Sequence, residues 1–268
     1  MRFGICLANI GTYSDPRTAL RIARAAEASG WDGLFVWDHL AFVWGPPAAD
    51  PWVTLAAVAA ETTRIRIGTA VTPVARRRPQ VLAQTVATLD LLSGGRVVFG
   101  AGLGGSASEF SRFGEPADAR VRAEMLDEGL ALLRALWSGE EVNHRGAHYV
   151  VDGVTLAPTP AQERVPIWIG GNRPASLRRA ARWDGWCADS ADPTGMTVSP
   201  DDVARAIAMM GRSDAFDVTV IGDRSRAAPQ EYERAGATWW LESVHDLRGP
   251  ADEMLALVEA GPRQGSRA

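Results

Sequence analysis

Two side chains in this sequence are placed to move a proton. His39 is one of four histidines, with His144, His148 and His245. It directly follows Asp38 and the apolar run 33–37. An imidazole titrates near neutrality and can act as acid or base. Asp38 can orient that ring or cap the local turn. Glu109 follows the glycine-rich turn Gly102-Leu103-Gly104-Gly105. It can act as an acid, a base or a hydrogen-bond acceptor, or simply stand as a carboxylate at a helix start, where free N–H groups favour it. The glycines at 102 and 104 mark tight turning or close approach of the backbone. A second turn, Gly170-Gly171-Asn172, comes just before a helix. Exposed amides there can hold a phosphate, and Arg173 can add a charge-assisted bond. No metal site is expected. His144 and His148 flank Arg145-Gly146, a poor helix, and read as surface residues. There is no HExxH, and Cys6 and Cys187 form no CxxC.

A rhythm of strands and helices must position these residues. Short apolar runs at 3–8, 33–37, 65–70, 97–101, 167–170, 185–188, 216–221 and 238–241 read as strands covered on both faces. Helical patterns separate most of them. Asp15-Pro16 opens the first helix, and the longest, about 118–137, carries Val121, Met125, Leu126, Leu130, Leu133 and Trp137 on one face. Residues 142–160, with Asn143, Gly146 and Asp152-Gly153, read as a β-hairpin outside the rhythm. Eight such units in 268 residues predict an α/β chain folded as a (β/α)8 TIM barrel with a local insertion before the fifth strand; such barrels need about 250 residues. An open doubly wound sheet is disfavoured. Eight strands exceed its usual number, and the first turn, Asn9-Ile10-Gly11-Thr12, lacks a dinucleotide fingerprint. A barrel gathers its chemistry at the C-terminal strand ends. There the sequence sets Asn9, Asp38, His39, Thr69, Thr72, Glu109, Asn172, Asp189, Asp223 and Glu242, with Trp37, Trp44, Trp168 and Trp186 as aromatic neighbours.

Composition narrows the function classes. Hydrophobic residues are 46% of the chain and the net charge is −4, which speaks for a full core and against nucleic acid as a partner. The ten tryptophans lack basic interleaving, so they do not read as a base-stacking surface. The basic run Arg76-Arg77-Arg78 reads as a solvated loop or as a holder of an anionic cofactor tail. No apolar stretch approaches the roughly 20 residues that span a bilayer, and no secretory signal is visible. A soluble, cytoplasmic protein with no membrane partner is expected.

Several segments together resemble the luciferase-like monooxygenase superfamily. They are 30–40 (GWDGLFVWDHL), 63–73 (TRIRIGTAVTP), Arg77-Arg78-Pro79, 88–96 (TLDLLSGGR), 136–140 (LWSGE), 166–171 (PIWIGG) and the helix 177–183. Beyond 190 the resemblance is thin. It implies one luciferase-like TIM-barrel domain over 1–268, with an insertion around 105–165. It also implies an oxidoreductase that uses the deazaflavin F420 for hydride transfer to or from a small organic substrate. FMN, for a monooxygenase using reduced flavin and oxygen, is the alternative. His39 and Glu109 are the implied catalytic residues. Asp38, His39, Thr69, Ala70, Val71, Gly102, Gly104, Gly170, Gly171, Asn172 and Arg173 are the implied cofactor contacts, with a non-proline cis peptide near Thr69-Ala70-Val71 beneath the ring. Arg76 to Arg78 would then meet the polyglutamyl tail of F420. Relatives are often homodimers. A non-catalytic cofactor-binding barrel and a barrel hydrolase are the competing readings.

Overall fold

The structure is a computed structural model that describes residues 1–40, 43, 45–192, 195–212 and 215–262. Trp44 lies outside the described residues. Eight parallel strands close on themselves. They are β1 (Arg2–Leu7), β2 (Gly33–Val36), β3 (Arg66–Thr69), β5 (Val97–Gly102), β8 (Ile167–Gly170), β9 (Gly185–Asp189), β12 (Asp217–Gly222) and β13 (Trp239–Val244). The sheet runs β3-β2-β1-β13-β12-β9-β8-β5, and pairing of β3 with β5 shuts the barrel. Closure removes every exposed strand edge. The two-residue β4 (Thr72–Pro73) adds to β5 at the mouth. The antiparallel pairs β6 (Glu141–Arg145) with β7 (Val150–Thr155), and β10 (Ala191–Asp192) with β11 (Gly195–Met196), stand apart from the barrel sheet. The hairpin expected at 142–160 is β6–β7.

Helices follow the strands as α1 (Pro16–Ala28), α2 (Pro51–Glu61), α3 (Pro79–Ser93), the one-turn α4 (Ser108–Ser111), α5 (Ala119–Leu136), α6 (Pro174–Ala180), α7 (Pro200–Met210), α8 (Pro229–Arg234) and α9 (Ala251–Glu259). Six begin with proline, whose missing N–H is no loss in a first turn. The Asp15, Asp50 and Asp118 carboxylates cap α1, α2 and α5. Arg96 clasps the bottom of the barrel. It is buried and donates to the carbonyls of Ala59, Thr62, Ile65 and Ser93, joining the C-terminal ends of α2 and α3, where a cation offsets the helix dipole. No described helix is long and apolar enough to cross a membrane.

Alternation along the strands sorts side chains into an outer core under the helices and an inner stack. Phe35, Trp168 and Trp239 plug the lower barrel. Phe35 stacks on Trp168 at 5.1 Å and meets Trp239 edge-on at 5.9 Å. Their indoles donate to Asp217. Above them Cys6, Cys187, Ile221, Leu241 and Ala70 form an apolar floor, with Trp37 and Val71 packed against it. Burial pushes the Cys6 thiol up to about 12 and Cys187 well above its usual value, so the floor carries no charge.

Candidate active site

His39 sits two residues past Trp37 at the end of β2, its ring 5.5 Å from the indole. Its Nδ1 lies 3.2 Å from both carboxylate oxygens of Glu109. Glu109 is presented by α4 and is fully buried. The two proposed proton-handling residues, 70 positions apart, therefore meet at one place. Burial alone would raise the Glu109 carboxyl. Hydrogen bonding and charge from His39, then from Arg76, outweigh it and hold the group below the usual carboxylate range. Glu109 is thus an anion at neutral pH, an acceptor rather than an acid.

Arg76 completes the group, and it corrects the reading of the basic run as a solvated loop. Its side chain is 5% exposed. Nη1 donates to Glu109 Oε2 at 2.8 Å, and Nη2 donates to Asp38 O at 2.6 Å and Asp38 Oδ1 at 2.8 Å. Arg77 grips the same Asp38 through Nε at 2.9 Å and Nη2 at 2.8 Å. Two of the three arginines are thus turned inward onto carboxylates rather than solvated. Arg78 alone is exposed. Asp38 is 1% exposed and faces these arginines, not the His39 ring. Phe110 carries Arg122 over its ring at 4.5 Å and Arg76 at 5.9 Å.

The peptide between Ala70 and Val71 is cis, at the position expected from the resemblance. Ala70 joins the floor, and Val71 projects among three glycines. A Cβ at Gly102 would stand 2.4 Å from Val71 Cγ2, one at Gly170 2.9 Å, and one at Gly100 3.2 Å from Val71 Cγ1. Val71 explains Gly102 and Gly170, while Gly100 is required first by the Thr69 carbonyl oxygen, 1.8 Å from a Cβ there. Gly104, at φ +87°, is explained by the Phe110 ring, 2.8 Å from a Cβ there. Thr69 is turned away from the mouth; its hydroxyl donates to Gly100 O at 2.9 Å and ties β3 to β5. Gly171 is also engaged, its N–H on Cys187 O and its carbonyl on the Trp186 indole. Asn172 donates to Asp189 O, and Arg173 stands at the N-cap position of α6 with no side-chain cap bond, both exposed.

Several expected rim residues lie elsewhere. Glu242 points outward, held by Arg224 at 3.1 Å, Arg248 at 2.9 Å and the Trp240 indole. Asp223 pairs with Arg248 too. Trp168 belongs to the plug and Trp186 to the outer core. His144 and His148 are half-exposed and clasp the β6–β7 hairpin to α5, with His144 Nε2 2.9 Å from Glu128 and His148 Nε2 3.5 Å from Glu124. Among the described residues no group of three His, Cys, Asp or Glu is arranged to hold a metal. Sequence reading missed Arg76 as a member of the site.

A closed parallel barrel whose C-terminal mouth pairs a half-buried His39 with buried Glu109 and Arg76 defines the class of scaffold. The family described as luciferase-like monooxygenase matches residues 1–258, and this chain belongs to it. The F420-dependent glucose-6-phosphate dehydrogenase of Microbacterium testaceum is 39% identical over 173 residues, 62% of this chain and 50% of that protein. The enzyme of the same name from Nocardia farcinica is 34% identical over 265 residues, 92% of this chain and 77% of that one. The chain spans about half the length of the first of these relatives. Among solved structures, monooxygenase RslO1 from Streptomyces bottropensis superimposes with a TM-score of 0.71 at 26% identity, over 88% of this chain and 78% of that one. The F420-dependent tetrahydromethanopterin reductase from Methanopyrus kandleri gives 0.78 at 18% identity, over 97% and 96%; at that identity the likeness is one of fold.

Proposed function

We propose that this chain is an F420-dependent oxidoreductase that transfers hydride between the deazaflavin and a small organic substrate. The observation that carries the reading is the part-buried pairing of His39 with Glu109 in a barrel that also holds the cis Ala70–Val71 peptide. The named F420-dependent relatives support the cofactor. The fold behind the reading is a (β/α)8 barrel in one domain, with an insertion around 105–165 that holds α4 and the β6–β7 hairpin.

The mouth fits a flat uncharged ring. Its floor is apolar, its two thiols are neutral, and Gly102 and Gly170 present no side chain. Ala70, Val71, Gly102, Gly170 and His39 would line the ring. A phosphate would be met by Asn172 and Arg173 at the start of α6, since the Gly171 amide is engaged by Cys187. When bound, F420 supplies the hydride donor or acceptor. The protein supplies position, exclusion of water and a proton path. With Nδ1–H on Glu109, His39 Nε2 is the atom that takes a proton from a substrate hydroxyl or returns one to a carbonyl.

The test is a panel of small alcohols, aldehydes and enones, assayed with F420 and separately with reduced FMN and oxygen. Bleaching or recovery of the deazaflavin chromophore supports the reading. Turnover only with FMN and oxygen replaces it with a monooxygenase. Binding of F420 without turnover across the panel favours a non-catalytic barrel. A homodimer is proposed as the assembly. Val53, Val81, Leu91 and Leu92 leave α2 and α3 with exposed apolar side chains. Light scattering checks it, and a monomer across the working concentration range removes it.

A further inference from the structure

We propose that Arg76 is the positioning residue of this site: by binding Glu109 and Asp38 together it keeps Glu109 an anion, and so holds neutral His39 in the Nδ1–H form with Nε2 as the proton acceptor. The inference rests on the reading of His39 above and deepens it.

An ionised carboxylate only accepts hydrogen bonds, so His39 Nδ1 must carry the hydrogen that points at Glu109. A protonated Glu109 would instead donate to Nδ1, and the lone pair and the hydrogen on the ring would exchange places. The tautomer is therefore decided by what keeps Glu109 charged. His39 from the end of β2 and Arg76 from the turn after β4 are the groups bonded to it. Behind them stand Asp38, Arg77, Glu115 and Arg122. Asp38 is matched by Arg77, which leaves the second arm of Arg76 for Glu109. Glu115 also lies in the field of Arg76, but burial holds its carboxyl above the usual range, so it competes weakly as an anion. Arg122 lies over the Phe110 ring at 4.5 Å and donates to the Leu103 and Gly104 carbonyls.

The fork geometry matters as much as the charge. One guanidinium spans the backbone carbonyl and carboxylate of Asp38 on one arm and Glu109 on the other. That fixes α4 against the end of β2, and with it the distance from Glu109 to the imidazole. A lysine ammonium has no such fork.

The experiment uses R76K and R76Q in the full chain, with folding checked by circular dichroism. The first readout is the two-bond proton–nitrogen correlation spectrum of protein labelled with ¹⁵N-histidine. Four histidines make the spectrum tractable, and H39Q assigns His39. The wild type should show the Nδ1–H form above the histidine titration. Both variants should show a mixture or the Nε2–H form. The second readout is turnover against pH. Its acid limb should move to higher pH, because losing Arg76 raises the Glu109 pKa, and the plateau should fall roughly 10–100-fold, as for a group that orients another. Cofactor affinity should change by less than about threefold, under 0.7 kcal/mol. A folded R76K with the wild-type tautomer and an unmoved acid limb overturns the proposal, as does a large loss of cofactor affinity with the tautomer intact. If R76Q does not fold, R76K decides. The tautomer spectrum needs no cofactor, so it tests Arg76 even if the chain binds neither F420 nor FMN.

Discussion

Replacing Glu109 by glutamine keeps the shape of the side chain and removes its charge. The amide retains one acceptor oxygen and turns an NH2 group toward the other partner. Arg76 Nη1 stands 2.8 Å from Oε2 and His39 Nδ1 stands 3.2 Å from both oxygens, so the amide leaves Nδ1 between an oxygen and an NH2 group, and neither partner keeps an ionic acceptor. A charge-assisted hydrogen bond at such a site is worth about 1.5–3 kcal/mol. At about 2–4 °C per kcal/mol for a domain near this size, thermal unfolding should come roughly 3–12 °C earlier. The effect on activity should be larger than this instability explains. With the anion gone, His39 loses its fixed tautomer, and turnover should drop by roughly 10–100-fold, while cofactor affinity stays close to the wild type. The assay is turnover from pH 5 to 9 beside equilibrium binding and a melting curve. A folded E109Q with wild-type turnover and an unchanged acid limb refutes the assignment of Glu109 as the group that holds His39.

Four further outcomes are expected. Gly100→Ala should abolish folding into soluble protein, since its Cβ would lie 1.8 Å from the Thr69 carbonyl oxygen, whereas Gly105→Ala, with no atom within 4 Å, should express and melt normally. Gly170→Val should weaken cofactor binding by crowding Val71, 2.9 Å from a Cβ at that position; normal affinity in a folded variant removes Gly170 from the ring site. Glu128→Ala should loosen the β6–β7 hairpin, because Glu128 receives His144 and the amides of His148 and Tyr149, and trypsin should then cut at Arg145; an unchanged digestion pattern speaks against the clasp. Stability should fall on acidification in two stages. His245 is lowered from 6.5 by burial and then by Arg248, so folding disfavours its charged form and stability declines as pH falls below that value. Glu109 and Asp127 are lowered from 4.5 and 3.8, so their contribution is present above those values and is lost as pH falls through the folded pKa. Urea midpoints at pH 8, 6, 5 and 3.5 check both stages.

The barrel was legible because its strands are buried on both faces and read as short apolar runs between caps. Where polar residues continued a strand, the reading stopped early. β13 was expected to end at Leu241 and runs on to Val244, since Glu242 is satisfied by Arg224 from the segment after β12 and Arg248 from the loop after β13. The His39–Glu109 meeting was reached through strand ends and family likeness. The fates of Arg76 and Arg77 were not legible. Their partners, Asp38 and Glu109, lie 38 and 33 residues from Arg76, and a run of three arginines looks solvated until the carboxylates folded against it are known. Thr69 illustrates the same limit. Position after a strand suggested a cofactor contact, while the strand period turned its hydroxyl outward to Gly100.

Binding is the most direct test of the account, because every role assigned to the mouth presumes a planar ring over Ala70, Val71 and His39. Wild-type protein and H39A are titrated in parallel with F420 and with FMN, read by fluorescence quenching. Saturable binding of F420 at about 1 μM or tighter, weaker FMN binding and a clear loss in H39A are predicted. A folded wild-type chain that quenches neither fluorophore contradicts the account.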